Sequence, residues 1–360
     1  MKGFEVPSDH WTLYAMVLGD LDGDGYLDLI SGSDPKHYPD FGNAASVSSF
    51  LGAGDGTFVT KDSFPVSNQT RMFAAVADLN RDGVLDVVTK SPTPDSLRVR
   101  MGSGDGTFLP GTDYGTGPNP EAILVADFDG DGNPDIASAD IGPFQATDGA
   151  VSLRFGMGDG TFGERMAFPV TGNPMYLLYL DWNQDGIPDL VAADDTLHIL
   201  LGLGDGAFAK ALDCGISRAH VTVPVGEIPL VVTDFDQDGR YDLAVSSRIL
   251  FGMNGCGFAD AFDLPGPSPV VGLDWGRWPL LAGDFNGDGL PDLVTGEDQT
   301  VSLFTAGGMT SFAGPLTLAH FDLTGPLGFS GIAGDLNGDG RLDLVVRWEG
   351  GVRALLNTCP

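Results

Sequence analysis

The chain has 360 residues, 53 of them glycine, and its 50 Asp and Glu against 18 Lys and Arg leave a net charge of −32. A polyanion of this size is repelled by nucleic acid and by anionic membrane surfaces, so neither is expected as a partner. Hydrophobic residues make up 42% of the chain, too many for a disordered acidic tail. No apolar run reaches the ~18 residues of a membrane span, so membrane insertion is not expected either.

The N-terminal Met1-Lys2-Gly3-Phe4-Glu5 has no apolar segment of signal-peptide type. The first distinctive element is Asp20–Asp28 (DLDGDGYLD), followed by a long connection Ser31–Ser46, a strand Val47–Leu51 and a Gly-Asp-Gly-Thr-Phe turn at Gly54–Phe58. The order then repeats. A strand Phe73–Ala77 enters Asp78–Asp86 (DLNRDGVLD), a strand Leu85–Thr89 leaves it, and a turn comes at Gly104–Phe108. Ile123–Ala126 enters Asp127–Asp135 (DFDGDGNPD), with a long connection Ala139–Ala150, a strand Val151–Phe155 and a turn at Gly158–Phe162. Leu177–Leu180 enters Asp181–Asp189 (DWNQDGIPD), followed by strands Asp189–Ala193 and Leu197–Leu201 and a turn at Gly204–Phe208.

The fifth copy is Asp234–Asp242 (DFDQDGRYD), with a strand Asp242–Val245 and a degenerate turn around Gly255-Cys256-Gly257-Phe258. The sixth, Asp284–Asp292 (DFNGDGLPD), has a degenerate turn at Gly307–Phe312. After the seventh, Asp335–Asp343 (DLNGDGRLD), two strands end at Val352–Leu356.

First aspartates are separated by 58, 49, 54, 53, 50 and 51 residues. No helical period is sustained, and each unit reads as four short strands, the fourth beginning at the Phe of the turn. Four-stranded units of ~40–50 residues are the blades of a β-propeller. The expected fold is therefore all-β, a seven-bladed propeller forming a single domain over 1–360. The Phe of each turn should pack between neighbouring sheets. Gly3-Phe4 stands 16 residues before Asp20, close to the 19 residues from Phe108 to Asp127. The segment Phe4–Pro7 should thus complete the last blade and close the ring, leaving no free sheet edge at the seam.

The chemistry lies in the acidic loops at 20–28, 78–86, 127–135, 181–189, 234–242, 284–292 and 335–343. Alternate residues of a tight loop turn their oxygens to one point, Gly at position 6 permits the turn, and the carbonyl of residue 7 faces inward. That is an all-oxygen set of the kind calcium prefers, with too many protein ligands for magnesium. The expected side-chain ligands are Asp20, Asp22, Asp24 and Asp28; Asp78, Asn80, Asp82 and Asp86; Asp127, Asp129, Asp131 and Asp135; Asp181, Asn183, Asp185 and Asp189. The remaining loops supply Asp234, Asp236, Asp238 and Asp242; Asp284, Asn286, Asp288 and Asp292; Asp335, Asn337, Asp339 and Asp343. The expected carbonyl ligands are Tyr26, Val84, Asn133, Ile187, Arg240, Leu290 and Arg341. Carboxylates this close repel strongly without a cation among them. About seven structural Ca²⁺ ions are expected, and they would bring the formal charge from −32 to −18. An EF-hand differs in closing with Glu at position 12 between helices.

These residues resemble the FG-GAP/VCBS repeat family, which includes the N-terminal propeller of integrin α chains. The resemblance spans essentially the whole chain and implies calcium in the loop joining strands one and two of each blade, with partners on the opposite face. The chain departs from integrins in carrying the loop in every blade and lacking stalk domains, so integrin-type adhesion does not carry over. Some lectins and polysaccharide lyases also look like this.

A ligand surface is expected opposite the acidic loops, where connections are irregular. Trp11, His37, Tyr38, Arg71, Phe144, Tyr176, Trp275, Arg277 and Trp278 fall there. Aromatics beside Arg suit a carbohydrate or a protein, and the same side chains would serve equally to cap the blades. His198 reads as a satisfied interior group. No catalytic residue is assigned, since no nucleophile–base pair has motif context. The leading expectation is a calcium-stabilised, monomeric binding module, extracellular, periplasmic or at the cell surface. A polysaccharide lyase or hydrolase on the same fold, or a purely structural domain of a larger surface protein, are the alternatives. Cys214, Cys256 and Cys359 are too far apart along the blades for a disulfide to be expected.

Overall fold

The structure, a computed structural model, describes residues 2–6, 13–33, 46–66, 73–142, 148–194, 196–215, 230–245, 248–253, 255, 257–265, 278–297, 299–308, 311–321, 330–348 and 351–358. Among them there are β-strands and no helix. Strand β1 (Lys2–Val6) belongs to the last sheet. The first blade is β2 (Leu13–Gly19), β3 (Asp28–Ser33), β4 (Ser46–Gly52) and β5 (Phe58–Pro65). The second is β6 (Ala74–Ala77), β7 (Asp86–Lys90), β8 (Ser96–Arg100) and β9 (Thr112–Gly115). The third is β10 (Pro120–Ala126), β11 (Asp135–Asp140), β12 (Asp148–Arg154) and β13 (Met166–Thr171). The fourth is β14 (Tyr176–Leu180), β15 (Asp189–Ala193), β16 (Thr196–Leu200) and β17 (Leu212–Gly215).

The fifth blade is β18 (Leu230–Thr233), β19 (Asp242–Val245), β20 (Arg248–Gly252) and β21 (Phe258–Asp263). The sixth is β22 (Trp278–Gly283), β23 (Asp292–Glu297), β24 (Thr300–Ala306) and β25 (Phe312–His320). The last sheet orders β26 (Ser330–Gly334), β27 (Asp343–Trp348) and β28 (Gly351–Leu356) with β1 at its edge. β1 pairs antiparallel with β28 from Lys2↔Leu356 to Val6↔Val352. The chain forms two compact units, one of Asp9–Ala53 and Phe58–Gly215, the other of Met1–Ser8, Gly54–Thr57 and Ile216–Pro360.

Second strands are the most buried, and the reason is their position. In β7 and β15 every residue is buried, so both faces of the strand are covered. Outer strands alternate, as in β13, where only Val170 is fully buried. The cores lie between successive sheets. Phe128, Ala137, Val151 and Leu153 of the third blade pack with Leu190, Ala192, Leu200 and Phe208 of the fourth.

The turn phenylalanines pack between sheets as expected, against an aromatic of the preceding outer strand. Phe108 meets Phe64 at 5.7 Å, Phe162 meets Tyr114 at 5.1 Å and Phe208 meets Phe168 at 5.4 Å, all edge to face. In the other unit Phe312 meets Phe262 at 5.9 Å. Such pairs contribute about 0.5–1.5 kcal/mol beyond the area they bury.

Two expectations need correction. In blades two to four the fourth strand does not begin at the Phe: Phe108, Phe162 and Phe208 make isolated bridges to Gly102, Gly156 and Gly202, and the strand resumes later. Arginine side chains intervene in two of these gaps, Arg100 donating to the Leu109 carbonyl and Arg154 to that of Gly163. The expected absence of disulfides also fails, because Cys214 is disulfide-bonded. Strand direction located Cys214 along β17 but not the face it presents. It pairs in register with Leu197 and is 1% exposed. The other two cysteines lie outside the described residues.

Candidate metal centres

Each acidic loop joins the first strand of a blade to the second, and its closing Asp is the first residue of that second strand. These seven carboxylates, Asp28, Asp86, Asp135, Asp189, Asp242, Asp292 and Asp343, are at most 1% exposed. Burial of a carboxylate is tolerated only when its oxygens are satisfied. Here both are. Asp135 Oδ2 accepts from the N–H of Phe128 at 2.7 Å, and Oδ1 from the N–H of Gly156 at 2.7 Å.

The same pair of bonds recurs in every blade. Asp28 accepts from Leu21 and Gly52, Asp86 from Leu79 and Gly102, and Asp189 from Trp182 and Gly202. Asp242 accepts from Phe235 and Gly252, Asp292 from Phe285 and Ala306, and Asp343 from Leu336 and Asn357. The closing Asp therefore ties the acidic loop to the end of the third strand. Loop and hairpin turn consequently share one end of each blade. Gly156 is needed at this joint, since a Cβ there would lie 2.1 Å from the Pro134 carbonyl oxygen.

The loop is organised by its own backbone. Asp127 accepts N–H bonds from Gly130 and Gly132 at 2.7 and 2.9 Å, and Asp131 from Asn133 at 2.7 Å. Where position 3 is Asn, its amide bridges to position 5: Asn80, Asn183 and Asn286 each donate to the following Asp at 2.9 Å. The residue after the first Asp anchors the loop in the core, with Leu79 1% and Phe235 2% exposed.

In three loops ligand oxygens of positions 1, 3 and 9 converge to within 4.8 Å of one another: Asp20, Asp22 and Asp28; Asp127, Asp129 and Asp135; Asp234, Asp236 and Asp242. Burial raises the closing carboxylates Asp28, Asp135 and Asp242 to about 6, their backbone donors offset part of this, and neighbouring carboxylates push further upward. Asp86, Asp189, Asp292 and Asp343 shift in the same direction for the same first cause. Three acidic clusters of the chain can thus hold a metal ion. The donor set is entirely oxygen, which fits a hard cation such as calcium.

Little of the expected ligand surface falls on described residues. Trp11, His37, Tyr38, Arg71, Phe144, Trp275 and Arg277 lie outside them. Tyr176 opens β14 opposite Ala193, and Trp278 opens β22 with its backbone opposite Gly296.

Polar features that the repeat pattern did not flag lie at the opposite end of the second strands. Lys90, 1% exposed, closes β7 and pairs with Glu121 at 3.1 Å. Lys90 stands where the other copies have Gly32, Ala139, Ala193, Ser246, Gly296 and Arg347, so aligning the repeats on their acidic loops marks it, with Arg347, as a cation at a position otherwise held by small residues. Asp140, 1% exposed and raised to about 6 by burial, accepts from Ser138, Ser152 and the Gly117 N–H.

His198 is buried at 1%, its Nδ1 2.9 Å from Asp213 and its Nε2 3.3 Å from Asp194. Burial alone would lower its pKa, but the two carboxylates raise it above the ordinary value. A raised imidazole contributes stability that is full below its unfolded pKa of ~6.5 and lost as pH rises through the folded value. Wild type should thus exceed His198→Gln by about 1 kcal/mol in urea unfolding at pH 5.5. The difference should shrink at pH 8.5, and a pH-independent difference would show that the imidazole stays neutral.

The blades and their loops define a seven-bladed β-propeller. The sequence model of the FG-GAP-like repeat matches residues 20–89, 91–138, 181–245 and 284–346, more than half of the chain. The chain belongs to the FG-GAP-like repeat family. No curated protein shows a significant sequence match. Among solved structures it is similar to an Agrocybe aegerita lectin that recognises non-reducing terminal N-acetylglucosamine, with 18% identity, a TM-score of 0.60, and coverage of 92% of this chain and 84% of the lectin. It is also similar to BBS1N, solved in complex with ARL6DN, with 9% identity, a TM-score of 0.58, and coverage of 99% and 96%. Chaetomium thermophilum Sqt1 follows with 11% identity, a TM-score of 0.54, and coverage of 97% and 96%. At these identities the likeness is one of fold. No helix among the described residues is long and apolar enough to cross a membrane.

Proposed function

We propose that the chain is a calcium-stabilised extracellular, periplasmic or cell-surface binding module, a single monomeric propeller domain that takes a carbohydrate or protein ligand at the end opposite the acidic loops. The observation that carries this reading is the sevenfold repetition of the closing Asp with its two backbone bonds. A motif used once for recognition would have no reason to recur in every blade, whereas a structural device would. Calcium would be held by positions 1, 3, 5 and 9 of each loop with the carbonyl of position 7, and when bound it supplies positive charge to carboxylates that burial and mutual repulsion disfavour. Occupancy of such sites depends on calcium supply, and millimolar calcium outside cells fills even weak ones.

A lectin and a protein-complex subunit among the similar structures support binding as the class of function. A glycan array probed with the full chain, with calcium and with EDTA, tests the carbohydrate arm. Retention of a defined glycan set in calcium is the expected result. Release of unsaturated uronate from polysaccharide would instead make the protein a lyase, and capture of neither glycan nor protein would leave a structural domain.

A further inference from the structure

Position 4 of the acidic loop distinguishes the copies. Four loops have Gly there, Gly23, Gly130, Gly287 and Gly338, at φ between 73° and 79°. The other three hold Arg81, Gln184 and Gln237 in the same left-handed region, at φ of 61°, 60° and 58°. A side chain in that conformation costs about 1–2 kcal/mol relative to glycine, and in two of the three loops it makes a contact that offsets part of this.

Arg81 makes one, and it leads into the next loop. Its Nη1 donates to Asn133 Oδ1 at 3.0 Å. Asn133 occupies position 7 of loop 127–135, the position whose carbonyl is an expected ligand. Its amide Nδ2 donates to Asp131 Oδ2 at 2.8 Å and its backbone N–H to Asp131 Oδ1 at 2.7 Å. The amide is also wedged against the hairpin turn, because a Cβ on Gly158 would lie 2.4 Å from Asn133 Oδ1. A continuous chain of contacts therefore runs from Arg81 through Asn133 to Asp131. In the other compact unit, Gln237 Nε2 donates to the Gly289 carbonyl at 3.0 Å, one residue before Leu290, whose N–H holds Asp288 at 2.9 Å.

We propose that Arg81 is a positioning residue for the neighbouring metal loop, coupling loops 78–86 and 127–135 so that they fill cooperatively, with Gln237 doing the same for loops 234–242 and 284–292. The inference rests on the calcium reading above. An ion in loop 78–86 fixes the backbone that carries Arg81, which fixes Asn133, which presents Asp131. Linkage makes the effect reciprocal.

The test uses the full chain and calcium alone, with isothermal titration for total uptake and hydrogen exchange of residues 127–135 as the local readout. Arg81→Gly removes the link and relieves the left-handed backbone, so it should leave the EDTA melting temperature unchanged or higher. It should weaken the calcium-dependent protection of 127–135 about fivefold or more in half-saturating calcium, the lower end of ordinary coupling. Disabling loop 78–86 with the pair Asp78→Asn and Asp82→Asn should likewise weaken that protection in the Arg81 background and add nothing in the Arg81→Gly background. If Arg81→Gly protects 127–135 at the wild-type calcium concentration, the coupling is overturned while the calcium reading stands. No calcium uptake by the wild type would overturn both.

Discussion

Chelation of calcium should lower the melting temperature of this protein by more than about 10 °C. A site filled at ten times its Kd stabilises the folded state by roughly 1.4 kcal/mol, and seven such sites by on the order of 10 kcal/mol. That is comparable to the whole stability of an ordinary domain, about 5–15 kcal/mol. With an unfolding entropy of about 2.1 cal/mol/K per residue, a cooperative chain of this length loses roughly 13 °C for 10 kcal/mol. The physical basis is in the loops. The closing carboxylates are buried, with Asp28, Asp135 and Asp242 pushed to about 6, and they share each loop with further carboxylates. Differential scanning calorimetry in 2 mM calcium and in excess EDTA reads the effect directly. A melt that does not move would mean that the loops hold themselves together through backbone bonds alone.

The acidic loops are legible because carboxylate clustering and turn geometry both act at fixed spacing. Asp at positions 1, 5 and 9 and Gly at position 6 are visible in every copy, and the strands around them follow from apolar runs between polar turns. Residue identity marks the closing Asp as a candidate ligand only. Its second role was hidden because the groups it binds, the N–H of Phe128 and of Gly156 for Asp135, belong to the backbone and leave no mark in residue identity. Arg81 was equally silent, since its partner Asn133 is 52 residues away and becomes a neighbour only when blades stack. The disulfide at Cys214 escapes the sequence because a bridge depends on the separation of two Cα atoms in space, which the direction of a strand along its blade does not give. Lys90 and Asp140 escape the sequence for another reason: the expected second strand of blade two ends at Thr89 and the expected connection of blade three begins at Ala139, whereas β7 runs on to Lys90 and β11 to Asp140 with both faces covered.

The double role of the closing Asp leads to the sharpest mutational expectation, a loss of stability that persists without calcium. Asp135→Ala leaves the buried N–H groups of Phe128 and Gly156 without their acceptor. Each unsatisfied group costs about 1–3 kcal/mol, and relief of the carboxylate's own burial offsets part of this, so the net loss in EDTA should be about 2–4 kcal/mol. Asp135→Asn keeps one acceptor oxygen and turns an NH₂ group toward the other N–H, so it should fall between wild type and Asp135→Ala. Asp127→Asn makes the contrast. Asp127 lies on the exposed rim of the same loop and accepts from Gly130 and Gly132. Its replacement removes a negative charge from the cluster, so it should cost little in EDTA and weaken the stabilisation gained on adding calcium. Urea unfolding of the three variants in EDTA and in calcium separates the two roles. Equal losses for Asp127→Asn and Asp135→Ala in EDTA would show that the closing Asp is a ligand like the others. The expected ordering instead makes it a covalent-like staple between loop and third strand, on which the metal adds a second, removable layer of stability.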